Sequence, residues 1–418
     1  MRQTLPEAPE SDRRTDTPPG GCEPVMRRFD DSHESARPGP EMRPGRGLVA
    51  LMLVTGLGSG LFSGCASLGR GHEALGVLRD LAAIEEAPSR REHRASVPER
   101  EEMTYAVEGR EQVADLYPPA ESRRGALILV HGLTEAGRRD PRLVAFAQTL
   151  ARADFTVIVP ELEGLRDFSV GTREVERIAD AIRHATTEVP AAESGTGLAA
   201  ISFAVGPAIL AAMQPETAHR VRFMIAVGGY YDLTDMVRYV TTGEDRGGGG
   251  RQAPPPQREA RWTVLLSQLH RLDDAEDRER LATIARRRLA DDDAPSPEAR
   301  GLGPQGRALY ELVTNRDPTR VEALIEALPP PLLKQFDALD LSERDLDALE
   351  ARLVLVHGPD DRVIPVSHSR RLHDALPDGQ SRLFEAGGLG HVEVAMGWRD
   401  GWGLWRAICH VLRLGEAR

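Results

Sequence analysis

Short, uninterrupted apolar runs recur from about residue 100 onward, and most are followed by a stretch with helical spacing. Ala126–Val130, Thr156–Pro160, Gly197–Ile201, Phe223–Val227 and Arg352–Val356 read as strands covered on both faces, the pattern of a parallel sheet between helical layers. Between them, Pro141–Ala153 places Leu143, Phe146, Leu150 and Ala151 on one face, and Glu174–Thr187 and Phe203–Met213 also read as helices. Ahead of these, Glu102–Val107 and Gln112–Tyr117 alternate apolar and polar positions, which predicts an antiparallel hairpin. After the last long run come a helix at about His368–Ala375, a strand at Ser381–Glu385 and a closing helix at about Trp402–Leu414. Alternating strands and helices imply βαβ units and a mostly parallel sheet flanked by helices, an α/β fold.

The alternation stops after Tyr231 and resumes at Arg352. Residues 233–350 contain no convincing strand. They open with a glycine run (Gly247–Gly250) and Ala253–Gln257, which is proline-rich and reads as flexible or polyproline linker. Helical segments follow at Trp262–His270, Asp277–Leu289, Gly306–Val313, Val321–Leu328 and Pro331–Leu339. A structureless loop of this length is implausible in a compact domain. The segment is therefore expected to be a helical lid insertion within one core made of residues 99–232 and 351–418. It would sit over the C-terminal edge of the sheet, where open α/β sheets bind ligands. The apolar stretch Trp262–Leu266 is read as the lid's own core.

The N-terminal part follows different rules. Residues 1–46 are rich in Pro, Arg, Asp and Glu and show no apolar periodicity, so they are read as a disordered leader. Residues 47–65 form an apolar, glycine-rich segment preceded by Arg43 and Arg46 and ending in Cys65, which describes a secretory signal. The same run is long enough for a short membrane-spanning anchor. Met42, followed by Arg-Pro-Gly-Arg, would make an ordinary start, in which case residues 1–41 are an upstream extension. Residues 66–98 are read as a tether with one weak helical stretch, His72–Glu86.

Composition narrows the classes. The net charge of -12 argues against a nucleic-acid partner, which would need a basic patch. Three widely spaced cysteines, Cys22, Cys65 and Cys409, carry neither a disulfide framework nor a Cys/His zinc cluster.

Four pieces carry candidate chemistry. Ser202 lies between a buried strand and a helix in Ala200–Ala204, where a sharp turn would expose its hydroxyl. Such a turn crowds the positions two before and two after the serine, and both are alanine. His131–Leu133 follows an earlier strand. Acyl transfer needs donors aimed at a developing oxyanion, and the backbone N–H groups of Leu133 and Phe203 are the expected pair. Asp360 and Asp361 sit in a turn after another strand, where a carboxylate could orient an imidazole. His391 lies in the glycine-rich loop Gly387–His391 after the last strand. His368, His373 and His410 are read as surface residues. Taken singly, each piece is also compatible with an ordinary turn or a buried serine.

Together they resemble the α/β-hydrolase family, whose triad follows the chain order Ser, Asp, His. The resemblance covers about residues 100–415 apart from the lid. It implies an α/β-hydrolase fold with His131-Gly132 as oxyanion loop, Ser202 as nucleophile, His391 as base and Asp361 as acid. Asp361 is preferred to Asp360 by the family's Gly-x-x-Asp spacing before an apolar-Pro step. The usual elbow is G-x-S-x-G, so Ala200 and Ala204 depart from it. The implied chemistry is acyl transfer from a small-molecule acyl substrate, a carboxylic ester in the first instance, without metal or cofactor. Amide, peptide and thioester substrates use the same triad and stay open, as does a catalytically silent fold used for binding. Leu61–Cys65 resembles a bacterial lipobox. That resemblance implies that Cys65 carries acyl chains such as palmitate and anchors a lipoprotein of the bacterial cell envelope. Ala66 resembles the sorting pattern of outer-membrane lipoproteins facing the periplasm or cell surface. Oligomeric state is not legible.

Overall fold

The computed structural model describes residues 64–86, 98–121, 124–247, 253–391 and 401–416. The expected leader and most of the apolar segment lie outside these residues. The first element is a helix, α1 (Gly64–Glu86), followed by β1 (Glu101–Val107), β2 (Arg110–Tyr117), β3 (Ala126–Val130), α2 (Pro141–Arg152), β4 (Thr156–Pro160), a short α3 (Glu163–Arg166), α4 (Thr172–Glu188), β5 (Thr196–Ile201), α5 (Val205–Ala212) and β6 (Val221–Val227). Then come α6 (Leu233–Thr242), α7 (Ala260–Gln268), α8 (Ala275–Ala290), α9 (Pro304–Thr314), α10 (Val321–Glu326) and α11 (Pro330–Leu339). The chain returns through β7 (Arg352–His357), α12 (Val366–Ala375), β8 (Ser381–Glu385) and α13 (Gly401–Gly415).

The strands form one eight-stranded sheet in the order β1-β2-β4-β3-β5-β6-β7-β8. β1 and β2 pair antiparallel, as the hairpin pattern predicts, and β2 pairs antiparallel with β4. Every other pairing is parallel. Alternate side chains of a strand point to opposite faces, and β3 makes the two layers plain. Ile128 and Val130 pack with α4 and α5 residues such as Ile178, Ile182, Val205 and Ile209. Leu127 and Leu129 pack on the other face with Leu143 and Leu150 of α2 and Ile408 and Val411 of α13. All five β3 residues are buried, which is why the run reads as unbroken apolar sequence.

The segment between β6 and β7 is helical throughout its regular elements and has its own core. Trp262, Leu265, Leu281, Ile284, Leu312, Val321 and Leu324 form a cluster separate from the two sheet faces. Trp262 is 1% exposed, so the apolar stretch beginning there serves internal packing.

Residues 66–86 differ from the expected tether. They belong to α1, which docks on the core: Ala74, Val77 and Leu78 join the same cluster as α2 and α13. Glu73 receives two hydrogen bonds from the buried Arg124, at 2.6 and 2.9 Å. Arg70 pairs with Glu416 at 2.8 Å and Arg152 with Asp80 at 2.8 Å. The indole N–H of Trp405 donates to the Gly71 carbonyl at 3.0 Å. Burial of one α1 face and capture of Arg124 fix the helix to the body. Cys65 lies in its first turn. No described helix is long and apolar enough to cross a membrane.

Candidate active site

Ser202 is the first residue after β5, at the start of a single 3₁₀ turn (Ser202–Ala204) that leads into α5. Its φ is +58°, the left-handed region that non-glycine residues seldom occupy. Holding a serine there costs on the order of 1–3 kcal/mol and persists only where the surroundings enforce it. Ala200 and Ala204 are fully buried on either side of it. Their methyl groups fit this turn, so the departure from glycine is accommodated without opening it.

The β3 loop abuts the serine. A Cβ placed on Gly132 would lie 3.3 Å from both Ser202 Cβ and the Ile201 carbonyl. Leu133 is the next residue of this loop. Phe203, in the first turn of a helical segment, has an N–H without an intrahelical acceptor. His131 is buried, with Nδ1 2.8 Å from the Gly132 carbonyl, and its Nε2 has no partner among the described residues. Burial holds its pKa below the usual histidine range.

His391 reaches the serine from the loop after β8. Its Nε2 is 2.6 Å from Ser202 Oγ. Its Nδ1 is 2.8 Å from Asp361 Oδ2. Asp361 follows β7, is 1% exposed, and accepts from the Val363 and Ile364 N–H groups through Oδ1 at 2.8 and 3.0 Å. Burial pushes the Asp361 carboxyl up, but the charge of His391 and hydrogen bonds from His357 and His391 outweigh it and hold it well below the usual carboxylate range. Ser202, His391 and Asp361 are therefore brought into one hydrogen-bonded run. Asp360 is not part of it.

Sequence reasoning missed several buried groups here. His357, the last residue of β7, is fully buried and touches Asp361. His368 is not a surface residue: it is 2% exposed, and its Nδ1 faces the Tyr231 and Asp232 N–H groups at 3.3 and 3.4 Å. Burial depresses its pKa to about 3. His373 and His410 are half-buried, the first bonded to Ser381 Oγ at 2.6 Å and the second beside the Phe384 ring. A polar cavity of about 630 Å³ lies beside α6, lined among others by Asp232, Asp235, Arg238, Asp340 and Arg371, and none of the three linked residues lines it. Among the described residues no group of three or more His, Cys, Asp or Glu could hold a metal ion.

No family model matches the chain. It is 36% identical over 70 residues to the 2-hydroxy-6-oxo-2,4-heptadienoate hydrolase of Pseudomonas putida, covering 17% of this chain and 25% of that one. It is 34% identical over 70 residues to the 2-hydroxymuconate semialdehyde hydrolase of Pseudomonas putida. The matches span about a quarter of the length of these curated relatives. Among solved structures, a puromycin-hydrolysing peptidase of Mycobacterium tuberculosis superposes with a TM-score of 0.47 at 14% identity, over 77% of this chain and 40% of that one. The α/β-hydrolase GrgF of a Penicillium species superposes with a TM-score of 0.47 at 16% identity, over 77% of this chain and all of that one.

Proposed function

The chain has the α/β-hydrolase fold, and from that premise we propose that it is a serine hydrolase that cleaves a carboxylic ester through a covalent acyl-enzyme. The observation that carries this reading is the run from Ser202 Oγ to His391 Nε2 at 2.6 Å and from His391 Nδ1 to Asp361 Oδ2 at 2.8 Å. In this reading His391 takes the Ser202 proton as the oxygen attacks the acyl carbon. The Leu133 and Phe203 N–H groups receive the developing oxyanion. His391 then returns the proton to the leaving alkoxide, and the same histidine activates water for deacylation. Asp361, kept anionic in its buried setting, holds the Nδ1–H tautomer and faces the imidazolium that forms.

A panel of soluble esters, anilides and thioesters tests this reading. Ester turnover by the wild type, reduced about 10⁴-fold or more in Ser202→Ala, is the expected result. Faster turnover of anilides or thioesters would replace the ester assignment. Turnover of none by folded protein would favour a silent fold used for binding.

The same proposal places the enzyme at the bacterial cell envelope as a lipoprotein acylated at Cys65. Leu61–Cys65 supports this reading through its lipobox pattern. With α1 docked, the catalytic body would follow the anchor almost directly and not at the end of a tether. Mass spectrometry of the native N-terminal peptide tests it: a diacylglyceryl group on Cys65 is expected, and an unmodified cysteine inside a longer peptide would refute it.

A further inference from the structure

His357 is a polar residue at the end of a strand whose preceding residues, from Leu353 to Val356, are all buried and apolar. Each of its ring nitrogens is engaged. Nδ1 lies 2.7 Å from Ser369 Oγ on α12. Nε2 lies 2.8 Å from the Ile364 carbonyl and 3.3 Å from Asp361 Oδ2. A backbone carbonyl only accepts. Nε2 must therefore carry a proton in either protonation state of the ring. The proton's hydrogen-bond partner is the Ile364 carbonyl, and Asp361 Oδ2 lies beside it as a longer, electrostatic contact at 3.3 Å. Ser369 and Ile364 are each 1% exposed, so both partners lie in the interior.

Asp361 Oδ2 thus faces two imidazole N–H groups, His391 at 2.8 Å and His357 at 3.3 Å. Oδ1 takes two backbone N–H groups. The carboxylate is held by donors from the acid loop and the base loop, with the His357 N–H set against it from the end of β7. We propose that His357 is a positioning residue that acts through Asp361: it fixes the Oδ2 lone pairs toward His391 and draws charge off the carboxylate, which sets how strongly Asp361 holds the imidazolium. This inference rests on the triad reading above, since His357 touches no reacting atom.

The sign follows from the shared oxygen. Without the His357 N–H, Oδ2 keeps more of its charge for His391, and the imidazolium persists to higher pH. The acid-side midpoint of kcat/KM then moves up. The other titratable or charged groups that face Asp361 or His357 are His368 and Tyr239, with Arg362, Asp245, Asp232 and Arg371 beyond them.

Two variants separate positioning from packing. His357→Met fills the space without a donor, and His357→Gln keeps an N–H near the position of Nε2. In His357→Met the expected result is a kcat lowered roughly tenfold with the acid-side midpoint raised by about half a pH unit. His357→Gln should return the midpoint to the wild-type position. A folded His357→Met whose midpoint does not move would overturn the proposal even if its kcat or stability fell. Nitrogen-15 NMR of histidine-labelled wild-type protein keeps the test open if His357→Met does not fold. The expected signal for His357 is an Nε2–H; an Nδ1–H tautomer would overturn the proposal, because Nε2 would then have nothing to donate. That spectrum does not depend on turnover, so an inactive wild type would sink the triad reading while leaving the tautomer question answered on its own.

Discussion

Gly358 lies directly beneath the Leu389 carbonyl: a Cβ on Gly358 would be 1.7 Å from that oxygen. This close approach seats the loop that carries His391 against the loop that carries Asp361. The two loops come from different βα junctions, after β8 and after β7, and only a residue without a side chain lets them meet.

Gly358→Ala is therefore expected to push residues 386–391 away while the sheet stays intact. With His391 as the proposed base, a displacement of about 1 Å there is expected to cost on the order of 10²-fold in rate. Steady-state kinetics together with thermal melting checks this. A variant with wild-type kcat would mean that the seam does not position His391.

Strain at the serine gives a second prediction. Ser202 sits at φ +58°, which glycine adopts freely and alanine does not. Ser202→Gly should be more stable than Ser202→Ala by about 1 kcal/mol, with both inactive. Chemical denaturation of the two variants measures the difference. Equal stabilities would show that the turn relaxes around residue 202.

His368 makes stability depend on pH. Its pKa is depressed to about 3 by burial, against an ordinary 6.5. The unfolded chain therefore binds a proton in that interval that the native state does not, so stability is full above about 6.5 and is lost as the pH falls toward 3. Denaturation midpoints should decline over this window. His368→Asn keeps an acceptor for the Tyr231 and Asp232 N–H groups but cannot be protonated, and it should flatten the decline. An unchanged slope would place the acid sensitivity elsewhere.

The docking of α1 is testable at Glu73. Glu73→Gln leaves the guanidinium of Arg124, which is 5% exposed, without its hydrogen-bonded carboxylate, with Asp154 at 4.0 Å and the Ala153 and Leu412 carbonyls remaining. Glu73 is about one-third exposed, so the loss is moderated by solvent, at about 1–2 kcal/mol. Urea denaturation checks it, and no change would mean that α1 contributes little to the fold.

The sheet was legible because its strands are buried on both faces and its helices present one apolar side. β3, β4 and β7 carry unbroken apolar runs for that reason, and β1 alternates because one of its faces is solvated. Ser202, Asp361 and His391 could be singled out because each follows a strand, the serine between small residues two positions away on each side, the aspartate at Gly-x-x-Asp spacing and the histidine on a glycine-rich loop. Other features depend on partners distant in sequence. α1 buries only a narrow stripe, and its fixing charges, on Arg124, Arg152 and Glu416, lie far along the chain. His368 read as a surface residue and His357 drew no reading, because Asp361, Ser369 and the Tyr231 backbone meet them only in space. α6 went unread although its caps are present in the sequence: Asp232 accepts from the Asp235 N–H, and Gly243 closes the helix in the left-handed region.

The most direct test of the account is covalent labelling by a fluorophosphonate, read by peptide mass spectrometry. One adduct per chain is expected, on Ser202, absent from Ser202→Ala and formed far more slowly in His391→Ala. Folded protein that takes no label, or takes it at another serine, would contradict it.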